Sequence, residues 1–204
     1  MISLDHIAIA STDLAKDTAL LEDLLGVEMT VGGRHARYGT HNTLLRLGQD
    51  LYLELIAKDP QAAPTGRPTW FALDQFVGSM RPANWICACD DIGEAVKAMP
   101  ADVGEITPLS RDALHWQITV PADGTLPLDG ACPTLLQWGE GISSPAQSLP
   151  DRHCALHLWE VIHPQAEMLA TALPLSDARV SFVTGPEPAF RAHIVTPSGL
   201  RVIE

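Results

Sequence analysis

The chain has 204 residues, 46% of them hydrophobic and 19% charged, and 25 acidic against 13 basic side chains give a formal net charge of −12. This composition is globular and long enough for one large domain or two small ones sharing a core, which excludes collagen, coiled coil and wholesale disorder. The few scattered Lys and Arg argue against a nucleic-acid groove, and no apolar run nears the roughly 18 residues that span a bilayer.

In chain order, residues 4–10 alternate as a strand, with Ile7 and Ile9 on one face and His6 and Ala8 on the other. Ser11, Thr12 and Asp13 then offer N-cap oxygens to a helix striped by Leu14, Leu21, Leu24 and Leu25 and stopped at Gly26. Strands are predicted at about 28–34, 42–48 and 51–57, the last two joined by the turn Gly48-Gln49-Asp50, so residues 1–58 read as a βαβββ module. Residues 59–83 hold Pro60, Pro64, Gly66, Pro68 and Pro82 and read as a linker, in which Trp70, Phe71, Leu73 and Phe76 form a short helix over a sheet edge.

The same order returns over residues 84–140. A strand at 84–89 leads to a helix capped by Asp90 and Asp91, carrying Ile92, Ala95, Val96 and Met99 and ended by Pro100, and strands follow at about 103–107, 114–120 and 133–138. Placing Asp13 over Asp91 superimposes the two modules with a shift of 78 residues. After a loop at about 139–153, residues 154–204 give a third, compressed βαβββ-like unit with its helix opening at Pro164. The copies are expected to share one sheet system. Cys87, Cys89, Cys132 and Cys154 are expected to stay reduced in the core. The start of the chain carries no basic region and no apolar signal core, so a cytoplasmic location is expected.

Leu4-Asp5-His6-Ile7 at the head of the first module, Tyr38 to Asn42 before its third strand and Leu51 to Ile56 on its fourth resemble the glyoxalase-like proteins of the vicinal-oxygen-chelate superfamily. Ser110-Arg111, Leu114 to Trp116, Pro133 to Trp138 and Gly185 to Pro188 extend the resemblance over nearly the whole chain. The resemblance implies an α+β fold of repeated βαβββ modules, curled into mixed β-sheets with flanking helices. It also implies a divalent metal ion (Zn, Mn, Ni or Fe), bound by residues of the first and fourth strands of each module. His6 and Glu54 then occupy the first module's two ligand positions, and alternation independently puts both on the face opposite Ile7 and Leu53.

The second module departs from that pattern, with Asn84 or Trp85 on its first strand and Gln137 on its fourth. A third ligand would be borrowed from His41 or His115. Asn42, Tyr52, Arg111, Gln137 and Trp138 are candidate substrate-binding residues, Arg111 as a bidentate partner for a carboxylate. If Ile118 faces the helix, Trp116 is core and His115, Gln117 and Thr119 face the cleft.

Two functions stay open at this point. One is an enzyme acting on a small oxygenated metabolite held through vicinal oxygens on the metal, of isomerase, lyase or dioxygenase type, with Glu54 as a ligand or the base. The other is a metal-free binding or sequestration protein of the bleomycin-resistance kind. A blander alternative is a cleft filled by residues 154–204. Homodimerisation is left open.

Overall fold

The computed structural model describes residues 1–111 and 113–204. The first module contains β1 (Ile2–Ser11), α1 (Leu14–Leu25), β2 (Thr30–His35), β3 (Thr40–Arg46) and β4 (Tyr52–Lys58). The second contains β5 (Arg81–Cys89), α2 (Ile92–Lys97), β6 (Glu105–Arg111), β7 (Leu114–Val120) and β8 (Thr134–Trp138). Then come β9 (Ala155–His163), α3 (Ala166–Ala172), β10 (Val180–Thr184), β11 (Ala189–Thr196) and β12 (Gly199–Ile203).

Local chemistry starts and stops these elements. Asp13 accepts from the Lys16 amide at 3.1 Å and Asp91 from the Glu94 amide at 3.0 Å, side-chain caps worth about 1 kcal/mol each. Gly26 ends α1 at φ 69°, a left-handed conformation that costs glycine little. Contrary to the sequence expectation, Pro164 does not open α3, which begins at Ala166.

The first eight strands form one sheet in the order β2-β3-β4-β1-β5-β8-β7-β6, so both modules repeat one arrangement. They meet along the antiparallel pair β1 and β5, where Ile7 lies opposite Trp85, the residue 78 positions on. The outer face of the sheet carries Ile7, Ile9, Leu53, Leu55, Cys87 and Leu135, packed under Leu21 and Leu25 of α1. The inner face carries Ala8, Ile56, Ile86, Ile118 and Leu136.

The last unit repeats the element order but not the sheet order. Its strands make a separate sheet, β10-β9-β11-β12, because β9, α3 and β10 close as a parallel crossover that puts β10 directly beside β9. Trp159, Val161 and Ile194 of this sheet join the outer-face core. Residues 154–204 therefore cover the outer face and do not fill the cleft. The linker does that instead: Trp70, Phe71 and Leu73 are buried against the inner face, from a one-turn helix at Trp70–Ala72. All four cysteines are free thiols, and burial pushes Cys89 up to about 11 and Cys132 to about 12.

Candidate active site

β1 is irregular where it matters. Leu4 pairs with Cys87 and His6 with Ile86, which leaves Asp5 as an extra residue in a β-bulge. The strand changes phase there, so Ile2 and Leu4 before the bulge and Ile7 and Ile9 after it all enter the outer core. Asp5 and His6, although consecutive, can then meet: Asp5 Oδ1 lies 2.6 Å from His6 Nδ1. The Trp138 indole donates to Asp5 Oδ2 at 2.9 Å. Tyr52 stacks on the imidazole with ring centroids 4.4 Å apart. Burial, followed by the Asp5 and Glu54 charges, raises the Tyr52 phenol well above its ordinary value and keeps it protonated.

Glu54 follows Tyr52 by two residues on β4 and shares its face. Its Oε2 lies 3.7 Å from His6 Nε2, too far for a hydrogen bond, while its Oε1 accepts from the Asn42 amide. Asn42 Oδ1 accepts in turn from the Gly33 amide at 2.7 Å. Gly32 and Gly33 make this possible. A methyl group at Gly32 would overlap Asn42 Oδ1, and one at Gly33 would overlap the Arg111 guanidinium.

The opposite wall is built on a neutral histidine. Arg111 Nη1 lies 3.1 Å from His35 Nε2, and a guanidinium can only donate, so that nitrogen accepts. The proton sits on Nδ1 and is given to Thr40 Oγ1 at 3.0 Å, which also accepts from the Trp70 indole at 3.0 Å. Burial, reinforced by the Arg111 charge, lowers the His35 pKa to about 3. Trp70 is held from behind by reciprocal bonds between Thr69 and Asp74 at 2.6 and 2.8 Å and by the Lys58–Asp74 ion pair at 2.7 Å. Phe71 and Ala72 adopt φ 58° and 52°, a conformation that costs residues with a Cβ on the order of 1–3 kcal/mol. Between the walls lies a cavity of about 40 Å3, with Leu114, Trp116 and Ile118 among the apolar residues of its lining.

Of the residues singled out in the sequence, His6, Glu54, Asn42, Tyr52, Arg111 and Trp138 line this one cavity. His41, His115 and Gln137 do not. His41 alternates with Asn42 on β3 and lies near Asp59 and Arg34. His115 is exposed, because β7 has the phase opposite to the expected one and turns Trp116 and Ile118 inward. Gln137 points to the outer face and caps α2, accepting from the Ile92 amide at 2.9 Å. Sequence reasoning missed Asp5, His35, Trp70 and Trp116. The apolar Ile2 and Leu4 share parity with polar His6, a visible sign of the bulge that a single-phase strand overlooks.

The donors suited to a divalent ion are His6 Nε2 and Glu54 Oε2, each oriented from behind as metal ligands commonly are. The set ends there, since among the described residues no group of three His, Cys, Asp or Glu side chains is placed to hold a metal ion, and Asp5 is bonded to the far nitrogen of His6. Pairing identifies the second-module counterparts. Ala8 pairs with Glu54 and its counterpart Ile86 with Thr134, so Thr134, and not Gln137, stands where Glu54 stands. Asn84, in the place of His6, donates to Thr134 Oγ1 at 2.9 Å and accepts from the Trp85 amide at 2.8 Å. A catalytic zinc takes three protein ligands and the non-haem iron triad two histidines and a carboxylate. One imidazole and one carboxylate, with two neutral groups closed on each other, do not fit a resident divalent ion.

A family described as the glyoxalase-like domain matches residues 4–176. The chain belongs to this family. With it, the glyoxalase-like chain belongs to the vicinal-oxygen-chelate superfamily. Among solved structures, a hypothetical protein from Staphylococcus aureus is 16% identical, covers 93% of this chain and 88% of its own, and superimposes with a TM-score of 0.67. It shares the fold. A methylmalonyl-CoA epimerase bound to methylmalonyl-CoA is 18% identical over 71% of this chain and 99% of its own, with a TM-score of 0.46. The epimerase from Mycobacterium tuberculosis is 19% identical over 66% and 85%, with a TM-score of 0.41. No curated protein matches the sequence. No helix among the described residues is long and apolar enough to cross a membrane.

Proposed function

We propose that this glyoxalase-like protein is an enzyme that moves a proton on a small oxygenated molecule. Glu54 is the base, His6 its acid partner, and Arg111 the holder of negative charge. One observation carries this reading. An imidazole and a carboxylate face each other across 3.7 Å without bonding, each fixed from behind by its own partner, Asp5 and Asn42. A group set against both atoms from the cavity meets a proton acceptor and a proton donor at once, the geometry that general acid–base catalysis needs.

In the proposed step, Glu54 takes a proton from a carbon next to a carbonyl. Protonated His6, its Nδ1–H given to Asp5, donates from Nε2 to the enolate oxygen that develops. Return of the proton to the same carbon gives epimerisation or exchange. Where a hydroxyl stands on that carbon, the enediol gives this hydroxyl's proton back to His6 while Glu54 delivers its proton to the former carbonyl carbon, and the product is an isomer. Neutral His35 keeps Arg111 in place without competing for the substrate's charge.

The test is proton exchange. A panel of small 2-oxo and 2-hydroxy carbonyl compounds is incubated with the protein in D2O and followed by NMR. At least one compound should take up deuterium, and Glu54→Gln should slow the uptake by about 100-fold or more. The self-contained Asn84–Thr134 pair supports a second reading, sequestration without turnover. Binding of panel members with no exchange would establish it. A stoichiometric divalent ion in protein purified without chelator, lost in His6→Ala, would overturn the metal-free assignment.

A further inference from the structure

Beyond the wall formed by His35 and Arg111 lies a larger groove of about 330 Å3, open to solvent and lined by Arg34, Arg37, Tyr38, Trp70, Arg111 and Trp116. We infer that this groove seats an anionic group, a carboxylate or a phosphate, on the far end of the molecule whose reacting end enters the inner cavity. The link to a reacting end rests on the proposed function, but anion binding in the groove does not.

Three observations point there. The first is charge. In a chain with a formal net charge of −12, Arg37 and Arg111 have no carboxylate within ion-pair distance among the described residues. Arg37 donates to the Pro108 carbonyl at 3.2 Å and Arg111 to a neutral imidazole at 3.1 Å, so among the described residues both guanidinium groups bond neutral partners. Arg34, by contrast, is paired with Asp59. Guanidinium groups that bond neutral partners beside a cavity are matched to an anion, which they can bind bidentately.

The second is construction. The absent side chain of Gly33 gives the Arg111 guanidinium its place, and the Trp70–Thr40–His35 chain fixes the nitrogen it bonds. Arg111 is therefore held, not splayed on the surface, and it lines both spaces. The third is size. In a measure where one water needs roughly 10–15 Å3, a cavity of about 40 Å3 takes only a few atoms, so the rest of any ligand extends outward. The outward wall is aromatic: Tyr38 stacks on Trp70 at 4.6 Å, with Arg37 and Arg67 set 6.0 and 5.7 Å from the Tyr38 ring centre.

Phenyl phosphate, benzoate and benzyl alcohol are titrated against the wild-type protein and the Arg37→Gln, Arg111→Gln and Glu54→Gln variants, following tryptophan emission. Both anions, or one of them, should bind where the neutral alcohol does not, and added salt should weaken them. Arg111→Gln should raise Kd by about tenfold or more, as expected for lost charge-assisted bonds, and the exposed Arg37→Gln by several-fold without endangering folding. Tighter binding of phenyl phosphate assigns a phosphate, and equal or tighter binding of benzoate a carboxylate. Glu54→Gln should bind the anions at least as tightly as wild type, and absence of proton exchange in the wild-type protein with anion binding intact sinks only the proposed chemistry. Equal affinity for the alcohol, or wild-type affinity in both arginine variants, overturns the anion seat.

Discussion

The two modules share a strand order and a common central pair, yet they treat the same two positions in opposite ways. In the first, His6 and Glu54 face each other unbonded and are held from outside by Asp5 and Asn42. In the second, Asn84 and Thr134 bond to each other, and Asn84 also accepts from the adjoining Trp85 amide. Polar groups that satisfy each other stabilise a core, whereas groups kept apart by separate partners are left free to act on a third. In the proposed function the first half supplies the proton-transfer pair, while the second supplies Arg111 and, at the matching positions, a closed polar contact.

Exchanging roles across this divide gives the largest expected effect. Glu54→Gln should lower the proton-exchange rate by about 10²–10⁴-fold with little change in melting temperature, and Thr134→Val should leave that rate within a few-fold of wild type. Equal losses of rate in both variants would erase the distinction. Asn84→Ala should behave the other way round. It strands the Thr134 hydroxyl and the Trp85 amide in the core and should cost about 2–3 kcal/mol in urea unfolding, with no loss of anion binding.

Acid sensitivity should also belong to the first module. The His35 pKa falls from an ordinary 6.5 to about 3 in the folded protein, so the unfolded chain binds the extra proton between those values. Stability is then full above about pH 6.5 and declines as the pH drops toward 3, at up to about 1.4 kcal/mol per unit. Melting curves between pH 5 and 6.5 should show this slope in wild type and a flatter one in His35→Gln. An unchanged slope would place the sensitivity elsewhere. The smallest effect is the stability cost of Thr134→Val, about 1 kcal/mol for one lost hydroxyl bond, read from the same unfolding curves.

Much of this was legible in the sequence. The capping aspartates, Gly26 and the alternating apolar residues carry local signals, and all twelve strands fall close to their expected places. The convergence of His6 with Glu54 followed from alternation within one module. What failed depended on which face each strand turned inward. The parity of β7 was assigned by assuming that its most apolar face lies under a helix. Here α2 is only six residues long and leaves His115 and Gln117 on the outer face exposed, while the aromatic turn at Trp70–Ala72 makes the inner face the apolar one. His115 and Trp116 consequently exchanged places. The separate third sheet was invisible for a related reason, since element order does not say whether a strand lands beside its predecessor or at the far edge.

The unpaired residue in β1 also sets what a deletion would do as opposed to a substitution. Replacing Asp5 removes one carboxylate. Removing it outright would close the bulge, with Leu4 still opposite Cys87 and His6 still opposite Ile86, so Ile2 and Leu4 would keep their places in the hydrophobic interior while the backbone kink that turns a carboxylate toward the imidazole would be lost. A single extra amino acid thus sets an acid behind the imidazole without disturbing either side of the ribbon.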